Sequence, residues 1–183
     1  DGTLILGTNG GTQTYNGGLT TTSVSGTVTL NGTIATSNDA VVLGAVTLGS
    51  ATTVDTNATN TTGDITIGAV TGNNNNLTLD TTTSTGSADH TFTGDINLGS
   101  GALSVTGDVV LGANVTVTAT PGSGTGILFN DAINADNASS NDRTLTIDAG
   151  TGSNVFVVGS VGNSQPLAGL TVTQSNGIGF FGS

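Results

Sequence analysis

The sequence contains no cysteine, methionine, tryptophan, lysine or glutamate, and its 183 residues include one arginine (Arg143), one histidine (His90) and two prolines. Without cysteine, no disulfide can brace the chain, so stability has to come from packing and repetition. The strong helix formers other than alanine and leucine are almost absent while β-branched residues abound, which excludes a helical fold. One cation stands against 12 aspartates, for a net charge of -11. No basic patch can neutralise phosphates, so nucleic acid is excluded as a partner and attraction to anionic lipid fails for the same reason. Apolar runs reach only four residues, as at 155–158, too short for a membrane-spanning helix, and membrane insertion is not expected. Aromatic residues make up 3% of the chain, which leaves few platforms on which sugars could stack.

What is present is a short alternating unit. It reads Gly63-Asp64-Ile65-Thr66-Ile67-Gly68, Gly94-Asp95-Ile96-Asn97-Leu98-Gly99 and Gly107-Asp108-Val109-Val110-Leu111-Gly112, with looser copies around Thr29, Thr47, Thr78, Thr116, Thr146 and Thr171. Alternation over three to five residues between Gly, Asn and Asp predicts short half-buried strands whose flanking apolar residues point inward and whose middle residue points outward. Val28, Val46 and Ile65 lie 18 and 19 residues apart, Leu77, Ile96 and Val115 lie 19 and 19 apart, and Val109, Ile127 and Leu145 lie 18 and 18 apart. A common period in three registers predicts an all-β parallel β-helix, or β-solenoid, with coils of about 18–19 residues and roughly nine or ten coils, a rod about 45 Å long. Residues 1–183 are expected to form one domain, least regular at 1–25 and 150–169, with Asn73 to Asn76 at a corner. The competing fold is an antiparallel sandwich, suggested by pairs such as Asn31-Gly32 that favour hairpin turns.

The Gly-Asp-Ile-x-Leu-Gly units resemble the repeat regions of filamentous-haemagglutinin-type and autotransporter-type bacterial surface proteins, as does the tail from Leu145-Thr146-Ile147-Asp148-Ala149-Gly150 to Leu170-Thr171-Val172-Thr173. That resemblance implies a right-handed β-helix, secretion to the cell surface, and a structural or adhesive role with surface glycans or host receptors as partners. It transfers no binding site. The chain does not begin with Met and shows no signal-peptide pattern, so a mature product or an excised segment is expected.

Residues that carry chemistry are scarce. A glycoside-cleaving β-helix needs paired carboxylates, and Asp136 with Asp142 beside Arg143 is the one local cluster of that kind; an Asn/Asp-rich solvated loop is the expectation, and no enzyme is read here. His90 is placed in a surface loop. Gly177-Ile178-Gly179-Phe180-Phe181-Gly182 matches a dinucleotide-binding pattern but has no helix after it to receive a pyrophosphate. No cofactor is expected. Calcium is the one metal to weigh, because Asp64, Asp95 and Asp108 recur at one position of the unit; a single carboxylate per coil gives few ligands, and solvated charges are expected instead. The outward residues Thr29, Thr47, Thr66, Thr78, Thr116, Thr146 and Thr171 would make a threonine ladder, the feature an ice-binding solenoid would use. Finally, Leu4, Ile5 and Leu6 at one end and Ile178, Phe180 and Phe181 at the other are expected to be exposed apolar slices through which the chain stacks head-to-tail, on itself or on neighbouring repeats.

Overall fold

A computed structural model of the chain describes residues 2–7, 10–57, 63–81, 88–136 and 143–182. Every strand pairing among them is parallel, and the chain winds as a β-solenoid of about seven turns. The antiparallel sandwich is thereby set aside. Asn31-Gly32 makes an irregularity within the strand Val28–Ala35, with Gly32 at φ +64°, instead of a hairpin.

Each turn crosses three faces. Inward residues stack in columns, and on each face one column spans the turns, because a parallel rung places each residue over its counterpart one turn away. The first-face column runs Leu4, Val28, Val46, Val70, Ile96, Val117, Ile147, Val172. The second runs Gln13, Ile34, Val54, Leu79, Val105, Phe129, Val157, Phe180. The third runs Leu19, Val41, Ile65, His90, Val109, Ile133, closed by an isolated bridge to Val161. The middle of each column is sealed from water: Val54, Ile65, Leu79, Ile96, Val105, Val117, Phe129, Ile133 and Val157 are all fully buried. Phe92 and Phe129 meet inside this core with centroids 6.5 Å apart.

The inward and outward assignments hold. Ile65, Ile67, Ile96, Leu98, Val109 and Leu111 are buried, while Thr66 and Val110 are half-buried and Asn97 is exposed. The period does not hold. One turn takes 18 residues between Val28 and Val46 but 30 between Val117 and Ile147, and most take more than 20. The cause is corner length. Residue 43 passes to residue 46 through Gly44 and Ala45 alone, whereas nine residues separate 55 from 65 and eight separate 135 from 144. The 18–19 spacing mostly joined strands on different faces: Val28 to Val46 is a true rung, but Ile65 stacks on Val41 and Leu77 pairs with Leu103. Short corners are tight enough to require glycine. A Cβ on Gly94 would lie 2.6 Å from Ala69 N, and one on Gly68 would lie 2.9 Å from the Gly44 carbonyl carbon.

Burying a charge in a column is the sharpest test of the register. Ile96→Asp is expected to lose about 3–5 kcal/mol of unfolding free energy, the scale of an uncompensated buried charge, in urea titrations. Asn97→Asp, one residue along and outward, keeps the acceptor that holds Gly99 N at 3.1 Å and is expected to stay within about 0.5 kcal/mol of the parent.

Candidate functional site

The solenoid places its chemistry at corners, on faces and at the two ends. At the corner between the second and third faces, the strand ends in a buried threonine in three successive turns: Thr36, Thr56 and Thr81. Each hydroxyl donates to the carbonyl of a residue re-entering the coil, Thr36 Oγ1 to Asp39 O at 2.5 Å, Thr56 Oγ1 to Gly63 O at 2.5 Å and Thr81 Oγ1 to Ala88 O at 3.1 Å. The hydrogen bond closes the base of the corner whether its partners lie three or seven positions apart, which is why turn length can vary without disturbing the columns.

The column of clasps ends at Gly107, the next position up. Its φ is +120°, and a Cβ there would collide with Thr81 Oγ1 and lie 3.0 Å from His90 Nε2. The space that glycine leaves lets the imidazole of His90 approach. His90 is fully buried in the third-face column, contrary to the surface loop expected for it. Strand alternation decides this, since Asp89-His90-Thr91-Phe92 places His90 and Phe92 inward. Nε2 lies 3.0 Å from Thr106 O and 3.3 Å from Thr81 Oγ1, whereas Nδ1 has no hydrogen-bond partner. Burial holds the imidazole below its ordinary pKa, against the opposing pull of the Thr106 carbonyl and the carboxylates of Asp80, Asp131 and Asp108.

The aspartates and asparagines that open the strands turn out to bind backbone. Asp64 Oδ1 accepts from Asp89 N at 3.2 Å, Asp95 Oδ1 from Thr116 N at 2.7 Å, Asp108 Oδ1 from Ala132 N at 3.0 Å and Asn114 Oδ1 from Thr144 N at 2.9 Å. Each reaches one turn along and satisfies an N–H at or beside the start of the next strand. Asn73 to Asn76 do form a corner, with Asn73 and Asn74 at φ 50° and 66°. Their amides bond to the backbone of neighbouring turns: Asn74 Oδ1 accepts from Ser100 N, Asn76 Oδ1 from Ala102 N, and Asn75 Nδ2 donates to Leu48 O. Asp64, Asp89 and Asp108 align along the third face, and burial, then the charges of Asp108 and Asp64, raises the Asp89 pKa. Among the described residues, no three histidines or aspartates come together in a way that could hold a metal ion.

The threonine ladder is dispersed. Thr29 and Thr47 are rung partners on the first face, continued by Thr71 and Asn97, and Thr116, Thr146 and Thr171 form a separate run there. Thr66 belongs to the third face and Thr78 to the second. An open groove of about 500 Å³ follows the first face between Thr27, Thr47 and Thr71 over Gly26, Ala45 and Ala69. On the second face the outward column changes character, from Thr33, Thr53, Thr78 and Ser104 to Leu128 and Phe156, over which Phe181 stacks at 6.1 Å.

Of the acidic cluster near Arg143, Asp136 is held in a forked ion pair, Arg143 Nε to Oδ1 at 3.1 Å and Nη2 to Oδ2 at 2.7 Å, which clips the base of another corner. Asp142 lies outside the described residues. The two ends differ from each other. Leu6 is buried and Leu4 half-buried, stacked on Leu30 and Val28, while Ile5 points outward on the first face at 60% exposure. Gln13 occupies the inward position above Ile34, and its Oε1 accepts from Gly7 N at 2.7 Å and Tyr15 Oη at 2.8 Å, a polar seal over the first coil. At the other end Ile178, Phe180 and Phe181 are 51%, 49% and 67% exposed. The expected pair of apolar slices is therefore one apolar slice and one partly sealed end.

No protein-family model, curated protein or solved structure matches this chain.

The clasp can be weighed by substitution. Thr56→Val leaves the Gly63 carbonyl without its hydroxyl donor and is expected to lower unfolding free energy by about 1–3 kcal/mol. Thr66→Val, outward on the third face, is expected to change it by less than about 0.5 kcal/mol. Chemical denaturation of both variants against the parent reads the difference.

Proposed function

We propose that this chain is a non-enzymatic part of an extracellular fibre or stalk, structural or adhesive, built by stacking coil on coil. The observation that carries the reading is the continuity of the stack. Inward columns on three faces run through the stack, each turn is tied to the next by backbone rungs, and in the middle turns Asp and Asn side chains reach across as well. Seven turns at a rise of about 4.8 Å make a rod about 35 Å long, and the same geometry can be extended without altering any turn already present. The extracellular setting rests on the resemblance of the repeat units to bacterial surface proteins.

The partner in this reading is another coil. Leu170, Val172, Ile178 and Phe180 are the uppermost members of the first two faces, and the strands Gly169–Gln174 and Gly177–Phe180 offer an outer edge of backbone groups. A further coil, from the same polypeptide or a second molecule, would pair with that edge and cover the apolar residues at once.

Light scattering and negative-stain electron microscopy of the concentrated chain test the self-association directly. End-to-end particles one coil wide are expected, and Phe180→Asp is expected to return them to monomers while leaving the β-sheet circular dichroism unchanged. A monodisperse monomer at millimolar concentration would remove head-to-tail stacking from the proposal. A cleavage screen on plant and bacterial polysaccharides tests the non-enzymatic part: no turnover is expected, and turnover lost in Asp136→Ala would replace the rod with a carbohydrate-active β-helix.

A further inference from the structure

His90 is the only histidine of the chain and it sits where the neighbouring turns use Val41, Ile65, Val109 and Ile133. A carbonyl oxygen can only accept, so the 3.0 Å approach of Nε2 to Thr106 O fixes the proton on Nε2. Nδ1 is then the bare nitrogen, and it is the one with no partner in the surrounding core. A second proton would have to go onto Nδ1. It would create a donor with nothing to accept from it and place a charge inside the column. The same ring touches the clasp, since Thr81 Oγ1 lies 3.3 Å from Nε2 while bonding to Ala88 O.

We propose that His90 is an acid-sensitive pin: protonating its Nδ1 unseats the strand Asp89–Phe92 from the core and releases the Thr81–Ala88 clasp, loosening this one turn of the solenoid while the turns on either side stay stacked. The charges that act on the ring are all carboxylates: Asp80 from the second-face strand, Asp131, and Asp108 from the strand above. They favour the imidazolium, yet burial outweighs them and keeps the ring below the ordinary value of 6.5. With the folded value depressed, the unfolded corner takes up the proton first, so stability is whole above pH 6.5 and falls as pH drops below it toward the folded value. Asp89 cannot imitate this, because its pKa is raised on folding and acidification therefore favours the folded state through that group.

Because there is one imidazole, its resonances can be followed without ambiguity. In ¹⁵N-histidine-labelled protein at pH 7, Nε2 is expected in its protonated form and Nδ1 bare. Between pH 7 and 5, above the ordinary aspartate range of about 3.9, the protection factors of the Thr81, His90 and Gly107 amides are expected to fall at least tenfold, with those of Leu30, Val54 and Val157 unchanged. His90→Ile, which installs the residue of the turn below, is expected to abolish that loss. Titration of the intact protein near pH 6.5 with protection unchanged would overturn the proposal, as would an equal loss in His90→Ile. Should that variant fail to fold, the titration and exchange of the parent protein decide alone.

Discussion

Parallel stacking imposes one demand on this chain: a residue and its counterpart one turn along must belong to the same class, because they lie rung over rung with side chains on the same side. The demand acts on columns and leaves the length of chain between rungs free. Val28, Val46, Val70 and Ile96 can therefore stack although the chain between successive members differs in length. The corners reconcile the two. Where the chain turns directly, glycine lets backbone approach backbone, as at Gly68 and Gly94. Where more residues intervene between strands, a buried threonine ties the two sides together, as Thr56 does to Gly63.

This division explains which features were legible in the sequence. Alternation is a local signal with a period of two, so the inward roles of Ile65, Ile67, Ile96 and Leu98 could be read from a handful of neighbours. Turn length is the sum of three corners, and no local pattern encodes it. The apolar-outward-apolar unit is the same on all three faces, so a spacing of 18 or 19 residues found Val28 over Val46 correctly and also linked Ile65 to the wrong face. His90 was misplaced because residue type was weighed before strand phase. Thr91 outward and Phe92 inward already fix the phase of that strand, and a polar residue at an inward phase is the signal that was there to be used. The clasps could not have been read from residue type, since Thr56 and Thr66 look alike in sequence and only the corner makes one of them buried.

The composition also follows from the coil-to-coil contacts. Successive turns are about 4.8 Å apart, a distance that the short side chains of Asp and Asn span with little freedom to lose. Asp95 reaching Thr116 N and Asn76 reaching Ala102 N are instances. Longer polar side chains would have to order more rotatable bonds to make the same hydrogen bond, and glutamate and lysine are absent from the chain. The aspartates that give the protein its net charge of -11 therefore belong in part to the framework. The cost is visible at Asp89, where carboxylates from two neighbouring turns press on a partly buried third.

In such a stack, each turn touches mainly the turns beside it, so free energy is distributed along the axis instead of being pooled in one core. A polar group inside one column then weakens its own turn and the adjoining rungs before it affects distant ones. His90 sits in the middle of the rod, between Ile65 and Val109, with intact apolar columns on both sides. In a compact domain, a buried imidazole with an unpaired nitrogen would draw on the stability of the whole. Here it draws on one corner. The solenoid can hold a locally weak turn between strong ones, and a change confined to one turn need not break the rod.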